Sequence, residues 1–252
     1  MTVPRLYSKE LLQDKKNFLL PEDNLNYLKS VLRLVPGDII TVFDSAGNEY
    51  EASITKFTIA GVEVKTGKKI GRGAKEINIT LAQALPKAAK MDLIVKSAAE
   101  LGADLIIPFA AARSVSRIDA DRAAQKVKRW GKIALEASRA TRAAGVAKVD
   151  NIKQFGAMLK SAAAPCAKMI FWEEEEKKTI KDALADKSLD ACKNYFIIVG
   201  PEGGFAKDEI AQAKEGGFQS VSLGRHILKV ETAAAAIISI IQYEKGVFSH
   251  KS

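Results

Sequence analysis

Sulfur and imidazole are scarce in this chain: its 252 residues hold two cysteines, Cys166 and Cys192, and two histidines, His226 and His250. There is no CxxC pair and no further Cys to complete a ligand set, so the pattern supports no metal site. The two thiols read as buried small residues in a reducing compartment. Long apolar runs are missing too. No stretch of about 18 apolar residues occurs. The nearest candidate, Val230–Ile241, carries Thr232 and Ser239 and runs on into Gln242 and Glu244. The opening residues, MTVPRLYSKE, lack the apolar core of a signal peptide. These absences point to a soluble, cytoplasmic chain with no membrane partner. A GxGxxG after the first strand is also absent, as is an acid about 20 residues beyond it, which argues against a Rossmann-type dinucleotide site. Acid is short relative to base: 30 Asp and Glu against 39 Lys and Arg leave a net charge of +9. The resulting pI near 9.4 favours a polyanionic partner over an acidic one.

That positive charge is unevenly placed. Arg113–Lys148 contains ten Lys and Arg against three Asp and Glu, a local net of +7. The segment reads as a long helix, Asp121–Ala144, with Val127, Trp130, Ala134 and Ala137 on a buried stripe. Lys128, Lys132, Leu135, Arg139 and Arg142 follow a different face at three- to four-residue spacing. Like charges so stacked repel, and a phosphate backbone is their natural partner; a solvated basic face is the plainer alternative. Glu173–Lys178, EEEEKK, reads as a helix start with Glu173–Lys177 and Glu174–Lys178 ion pairs.

The order of elements divides the chain in two. Residues 1–72 have strand grammar: Asp38–Asp44, Glu49–Lys56 and Val62–Lys65 are short runs separated by turn residues, as in a small β-barrel or sandwich. Pro21–Leu34 is the helical candidate there, with Leu25, Leu28, Val31 and Leu32 on one stripe. Lys68–Lys75, KKIGRGAK, reads as a linker. From Glu76 strands alternate with helices. Ile77–Leu85, Leu105–Phe109, Ala167–Trp172 and Tyr195–Val199 are strands. Lys87–Leu101, Phe155–Ala163 and Lys177–Ala185 are helices. Such alternation predicts an α/β domain with a mostly parallel sheet covered on both faces.

Two stretches near the C-terminus share one grammar. In Asn194–Ala206, NYFIIVGPEGGFA, a β-branched and aromatic strand runs into three glycines and a proline. Lys207-Asp208-Glu209 then opens a helix. In Val221–Ala235, VSLGRHILKVETAAA, a strand from Phe218 to Leu223 meets Gly224, then a connection, then an alanine-rich helix. Glycine turns at the carboxyl ends of neighbouring strands are the usual ligand position in an open α/β sheet, although a glycine turn can also be no more than a turn.

IVGPEGGF followed by LGRHILKVETAAAA resembles the C-terminal signature of the RsmE family, SPOUT-class methyltransferases. The resemblance extends through KMDLIVKSAAELGADLIIPF, ARSVSRID and NLNYLKSVLRLVPGDIITVFD, and so covers most of the chain. It implies a trefoil-knotted C-terminal domain over residues 73–252 and a PUA-like, RNA-binding β-barrel over residues 1–72. It further implies S-adenosylmethionine as cofactor, methylation of a uridine at N3 in 16S ribosomal RNA of the small subunit, and a homodimer built on the last helix. A core helix within a monomer would leave the same pattern. Departures are local: the family pattern has Glu, Gln, Arg and Pro where this chain has Ala112, Ala140, Ala143 and Ala147. They fall on the RNA or target-base side and leave the cofactor signature intact. A SPOUT 2′-O-ribose methyltransferase and a non-catalytic RNA-binding assembly protein are the rival readings.

By resemblance, the backbone of Phe171–Trp172, Gly200–Gly203 (with Pro201 and Glu202) and Leu223–Val230 wraps the cofactor, with Gly224 at the turn. Ile227 and Leu228 then flank the adenine, and Val230 and Thr232 belong to the same set. Uridine N3 carries a proton, so the site needs a base or a cation beside the uracil anion. Arg225 and Glu231 are the catalytic candidates; for Glu231 a helix-start acid is the alternative. His226 reads as a satisfied structural residue and stays outside the catalytic set. The RNA-binding candidates are Arg5, Arg33, Arg113, Lys128, Lys132, Arg139 and Arg142.

Overall fold

The computed structural model describes residues 3–8, 10, 12, 16–44, 48–70, 76–87, 90–114, 120–141, 145–162 and 166–248. Two compact units result, one comprising Met1–Lys75 and Thr141–Val146, the other Glu76–Ala140 and Ala147–Ser252.

The first unit is a curled five-stranded sheet. Its strands are β1 (Arg5–Tyr7), β2 (Asn17–Pro21), β3 (Ile39–Phe43), β4 (Glu49–Thr58) and β5 (Gly61–Lys69), in the order β1-β3-β4-β5-β2. Period-2 patterning sends Phe18 and Leu20, Ile40 and Val42, Ala52 and Ile54, and Val62 and Val64 to one core. Register shifts in β4 between Tyr50 and Ala52 and between Ile54 and Lys56 add the twist that curls the sheet. The expected Pro21–Leu34 helix is present over residues 22–31 as one continuous helical stretch, 3₁₀ at Glu22–Asn24 and π-helical at Tyr27–Val31 with Leu25 and Asn26 between them. Of the expected stripe, Leu28 is buried and Leu25 and Leu32 pack half-buried against the same core, while Val31 is exposed. The linker reading also shifts: Lys68 and Lys69 close β5, and Gly71–Lys75 lie outside the described residues.

The second unit is a parallel sheet, order β12-β10-β11-β6-β7-β8, with β9 also on β7. Its strands are β6 (Asn78–Ala84), β7 (Leu105–Ala110), β8 (Lys148–Val149), β9 (Lys153–Gln154), β10 (Ala167–Phe171), β11 (Asn194–Val199) and β12 (Gln219–Val221). The helices are α1 (Lys90–Glu100), α2 (Ala120–Ala140), α3 (Phe155–Leu159), α4 (Ile180–Leu184), α5 (Lys207–Glu215) and α6 (Val230–Glu244). Both faces are apolar, as a parallel sheet requires. Ile79, Leu81, Met169, Tyr195 and Ile197 face a core shared with α1, α2, α4 and α6. Ala82, Ile170, Phe196 and Ile198 face a second core with α3 and α5. The α/β class expected from the alternation of elements is the class observed.

One expectation is corrected here. Residues 173–178 form no helix, and the Glu173–Lys177 and Glu174–Lys178 pairs do not form. A capping box at Thr179 and Asp182 starts the helix at Ile180 instead. The preceding segment turns at Glu173–Glu174, the Glu175 N–H donating to the Trp172 carbonyl at 3.2 Å, and is then held by the Ser222 N–H donating to the Lys178 carbonyl and Ser220 Oγ to the Glu175 carboxylate. Cys166 and Cys192 are free and only half buried; burial raises the Cys166 thiol above its ordinary value.

Candidate active site

Register brings the two sequence motifs together. Phe171 pairs with Val199 and with Val221, and Val199 pairs with Gln83, so four neighbouring strands end at one level. The loops after β6, β10, β11 and β12 therefore leave the same carboxyl edge. The last three of these loops, with Lys90 of α1 and Val230 and Ala233 of α6, line a cavity of about 490 Å³, a size that suits a nucleoside-sized ligand.

The GPEGG turn is shaped by what its glycines touch. A Cβ at Gly200 would lie 2.9 Å from the ring of Phe205, itself buried beneath the turn. Gly204 has φ +67°, in the left-handed region, and a Cβ there would enter the Glu173 carboxylate. The turn is tied from three sides. Gln83 Nε2 donates to the Gly200 carbonyl at 3.4 Å, and Arg113 Nη1 donates to that of Gly203 at 3.0 Å. The buried Glu209 carboxylate accepts from the Ala206 N–H at 3.0 Å and the Ala112 N–H at 2.9 Å. In the second motif Gly224, φ +99°, donates its N–H to Ser222 Oγ at 3.2 Å and turns the chain toward α6.

Acid and base meet at the cavity wall. Lys90 Nζ lies 2.9 Å from Glu202 Oε1 and 3.7 Å from Glu231 Oε2. The Glu202 hydrogen bond, first, and both carboxylates raise the Lys90 ammonium above its ordinary value of 10.5. Burial pushes Glu202 up, but hydrogen bonds from Lys90 and from backbone N–H groups, Lys87 among them, outweigh it and hold the carboxyl below 4.5. Oε2 of Glu231 is buried and accepts no hydrogen bond from the described residues.

Of the residues singled out for the cofactor, Phe171, Trp172, Gly200, Pro201, Glu202, Gly203, Leu223, Gly224, Ile227, Leu228 and Val230 all line this cavity. Thr232 does not; it is exposed in the first turn of α6. Neither catalytic candidate lines the cavity: Arg225 is exposed on the loop between Gly224 and His226, and Glu231 is half buried with its Oε2 3.7 Å from Lys90 Nζ. The wall also includes Lys90, Glu173, Val199, Ser222 and Ala233, which sequence reasoning did not single out for it. That reasoning also set His226 aside as structural, whereas that side chain is exposed on the wall. Val199 and Ser222 lie within motifs already singled out; Lys90 carries no local signal.

The basic candidates separate. Lys128 and Lys132 are exposed on α2, where Trp130, Ala134 and Ala137 are buried as the periodicity predicts. Arg139 is half buried and pairs with Glu136 at 3.2 Å. Arg33 is exposed with φ +55°. Arg5 is enclosed: its guanidinium pairs with Glu49 at 2.8 Å and lies 3.5 Å from the centre of the Phe43 ring. Arg142 and Ala143 lie outside the described residues. Ala147, where the family pattern has proline, is buried and donates its N–H to Ser138 Oγ at 3.5 Å, a bond proline cannot make.

Over residues 74–242 the chain matches the RNA methyltransferase domain, and over residues 20–58 the RNA methyltransferase PUA domain. It is 28% identical over 242 residues to the Ribosomal RNA small subunit methyltransferase E of Bacillus subtilis (strain 168), covering 94% of each chain. Over 248 residues it is 28% identical to the protein of that name from Buchnera aphidicola, covering 98% of this chain and 95% of the other. A crystal structure of a Ribosomal RNA small subunit methyltransferase E from Neisseria gonorrhoeae, bound to S-adenosyl methionine, shares the fold with a TM-score of 0.81. Identity to that structure is 31%, over 96% of this chain and 98% of that one.

Proposed function

This chain belongs to the RNA methyltransferase family, and from that premise we propose that it transfers a methyl group from S-adenosylmethionine to N3 of a uridine in small-subunit (16S) ribosomal RNA. The observation that carries the reading is the cavity at the carboxyl edge of the sheet, built jointly from the two glycine motifs. Its walls fit the cofactor. Gly200, Gly203, Gly204 and Gly224 expose backbone to close approach, and Ile227 and Leu228 offer apolar surface to a flat ring.

When bound, the cofactor supplies a methyl group already activated on a sulfonium, so the chain has to hold, orient and exclude water. The Gly200–Gly203 and Leu223–Val230 segments hold; Thr232 lies two residues beyond, within the first turn of α6. The uridine N3 proton has to leave before or as the new bond forms. We assign its acceptance to Glu231, whose buried Oε2 faces Lys90 Nζ at 3.7 Å, beyond hydrogen-bond length, and stabilisation of the uracil charge to the exposed Arg225. Residues 73–252 carry this chemistry and residues 1–72 bind RNA. Arg33, Arg113, Lys128, Lys132, Arg139 and Arg142 meet phosphate. Arg5, already enclosed, supports the barrel at least as much as it serves RNA. A second copy packs on the half-exposed side of α6, where Tyr243 is 72% exposed, and the protein works in the cytoplasm.

Incubation with S-adenosylmethionine and unmethylated small subunits, followed by nucleoside digestion and mass spectrometry, tests this. N3-methyluridine is the expected product. A 2′-O-methylated nucleoside would move the reading to ribose methylation. RNA binding without any methyl transfer would leave a non-catalytic RNA-binding protein.

A further inference from the structure

Lys90 opens α1 against the cavity and touches the acid of each motif: Glu202 of GPEGG at 2.9 Å and Glu231 at the start of α6 at 3.7 Å. We propose that Lys90 is a positioning residue that clamps the two motifs around the cofactor and sets how strongly the cavity prefers the sulfonium to its neutral thioether product. This inference rests on the cofactor reading above.

The clamp is electrostatic. The Glu202 and Glu231 side chains are 22% and 19% exposed, and two carboxylates so placed repel unless a cation stands between them. Lys90 is that cation, and removing it leaves two partly desolvated charges uncompensated. With it, the three groups sum to −1. Glu173 and Lys229, the other ionised side chains of the wall, are exposed and cancel, while Arg113 and Arg225 at the rim are screened by solvent. A ligand filling this cavity lies within about one Debye length, ~8 Å at physiological salt, of the triad. S-adenosylmethionine and S-adenosylhomocysteine differ by a methyl group and one positive charge at sulfur. A change in loop position acts on both ligands alike, whereas a change in triad charge acts on their ratio.

The test titrates both ligands calorimetrically into the wild type, Lys90→Met, Lys90→Arg and Glu202→Gln. Quenching of Trp172, which lines the cavity, is a second readout. Lys90→Met and Glu202→Gln each weaken S-adenosylhomocysteine by about tenfold, since either breaks the clamp. The preference for S-adenosylmethionine rises in Lys90→Met, where the triad becomes −2, and falls in Glu202→Gln, where it becomes 0, each by about threefold. Lys90→Arg keeps both affinities near wild type. Affinity for S-adenosylhomocysteine unchanged in both variants would overturn the clamp. Shifts of the preference in the same direction, or none, would overturn the charge tuning. A purely structural role cannot produce the opposite signs. Wild-type protein that binds neither ligand sinks the cofactor reading and this inference with it, whereas the variant outcomes sink only the inference. Lys90 is 36% exposed at a helix start, so its variants are expected to fold, with the thermal midpoint as control.

Discussion

At the scale of single residues, the two glycines of GPEGG differ in what they tolerate. Gly200→Ala drives a methyl group into the Phe205 ring, which the core holds in place, and should cost about 1–3 kcal/mol and abolish cofactor binding. Gly204→Ala meets only the movable end of Glu173, but its positive φ remains, at about 1 kcal/mol. Chemical denaturation and titration separate the two. Glu202 makes stability depend on pH with a defined sign. Its carboxyl is lowered in the folded state, so the stability it adds is present above its ordinary value of 4.5 and is lost as pH falls through the lower folded value. Wild type should exceed Glu202→Gln at pH 7 by about 1 kcal/mol or less, with the gap closing below the ordinary value. Tyr195 is the converse case. Its hydroxyl is buried with no hydrogen-bond partner among the described residues, and burial pushes it up to about 12. Tyr195→Phe should be neutral or stabilising by up to about 1 kcal/mol in urea unfolding.

At the scale of elements, the N-terminus of α5 decides the shape of the turn before it. Glu209 touches no part of the cavity, yet its carboxylate takes one backbone N–H from the GPEGG loop and one from the turn after β7. Glu209→Ala should destabilise by about 1–3 kcal/mol and weaken cofactor binding, while Glu209→Gln keeps part of both. Helix α2 is the matching case for RNA. Trp130 Nε1 donates to Asp92 at 3.1 Å and Arg129 pairs with the same carboxylate, so α2 is docked on α1 with Lys128 and Lys132 turned to solvent. Reversing Lys128 and Lys132 to Glu should lower the salt dependence of RNA binding by about one unit of slope per lost contact. An unchanged slope in filter binding returns the helix to ordinary solvated surface.

For the whole molecule, what could be read in advance follows the range of the interactions involved. Alternating strand and helix patterns, the two-sided apolar character of β6, β10 and β11, and the buried stripe of α2 are local periodicities. So are the glycine turns, because positive φ and tight ring contact leave few other residues able to serve. These determine the α/β class and the place of the two glycine turns, whereas Phe171, Trp172, Ile227 and Leu228 were reached through the family resemblance. Tertiary structure decided the rest. Lys90 meets Glu202 and Glu231 only because β6 lies beside β11 in the sheet, and Arg113 reaches Gly203 across the same packing. The EEEEKK segment has the spacing of helical ion pairs but was claimed by contacts to the strand beside it. Arg5 reads as an RNA-binding candidate until Glu49 and Phe43 close over it. A charge is equally consistent with solvent, a ligand or a buried partner, and its energy in each depends on burial and on groups far away in the chain. Backbone conformation is written locally; the fate of a charge is written in three dimensions.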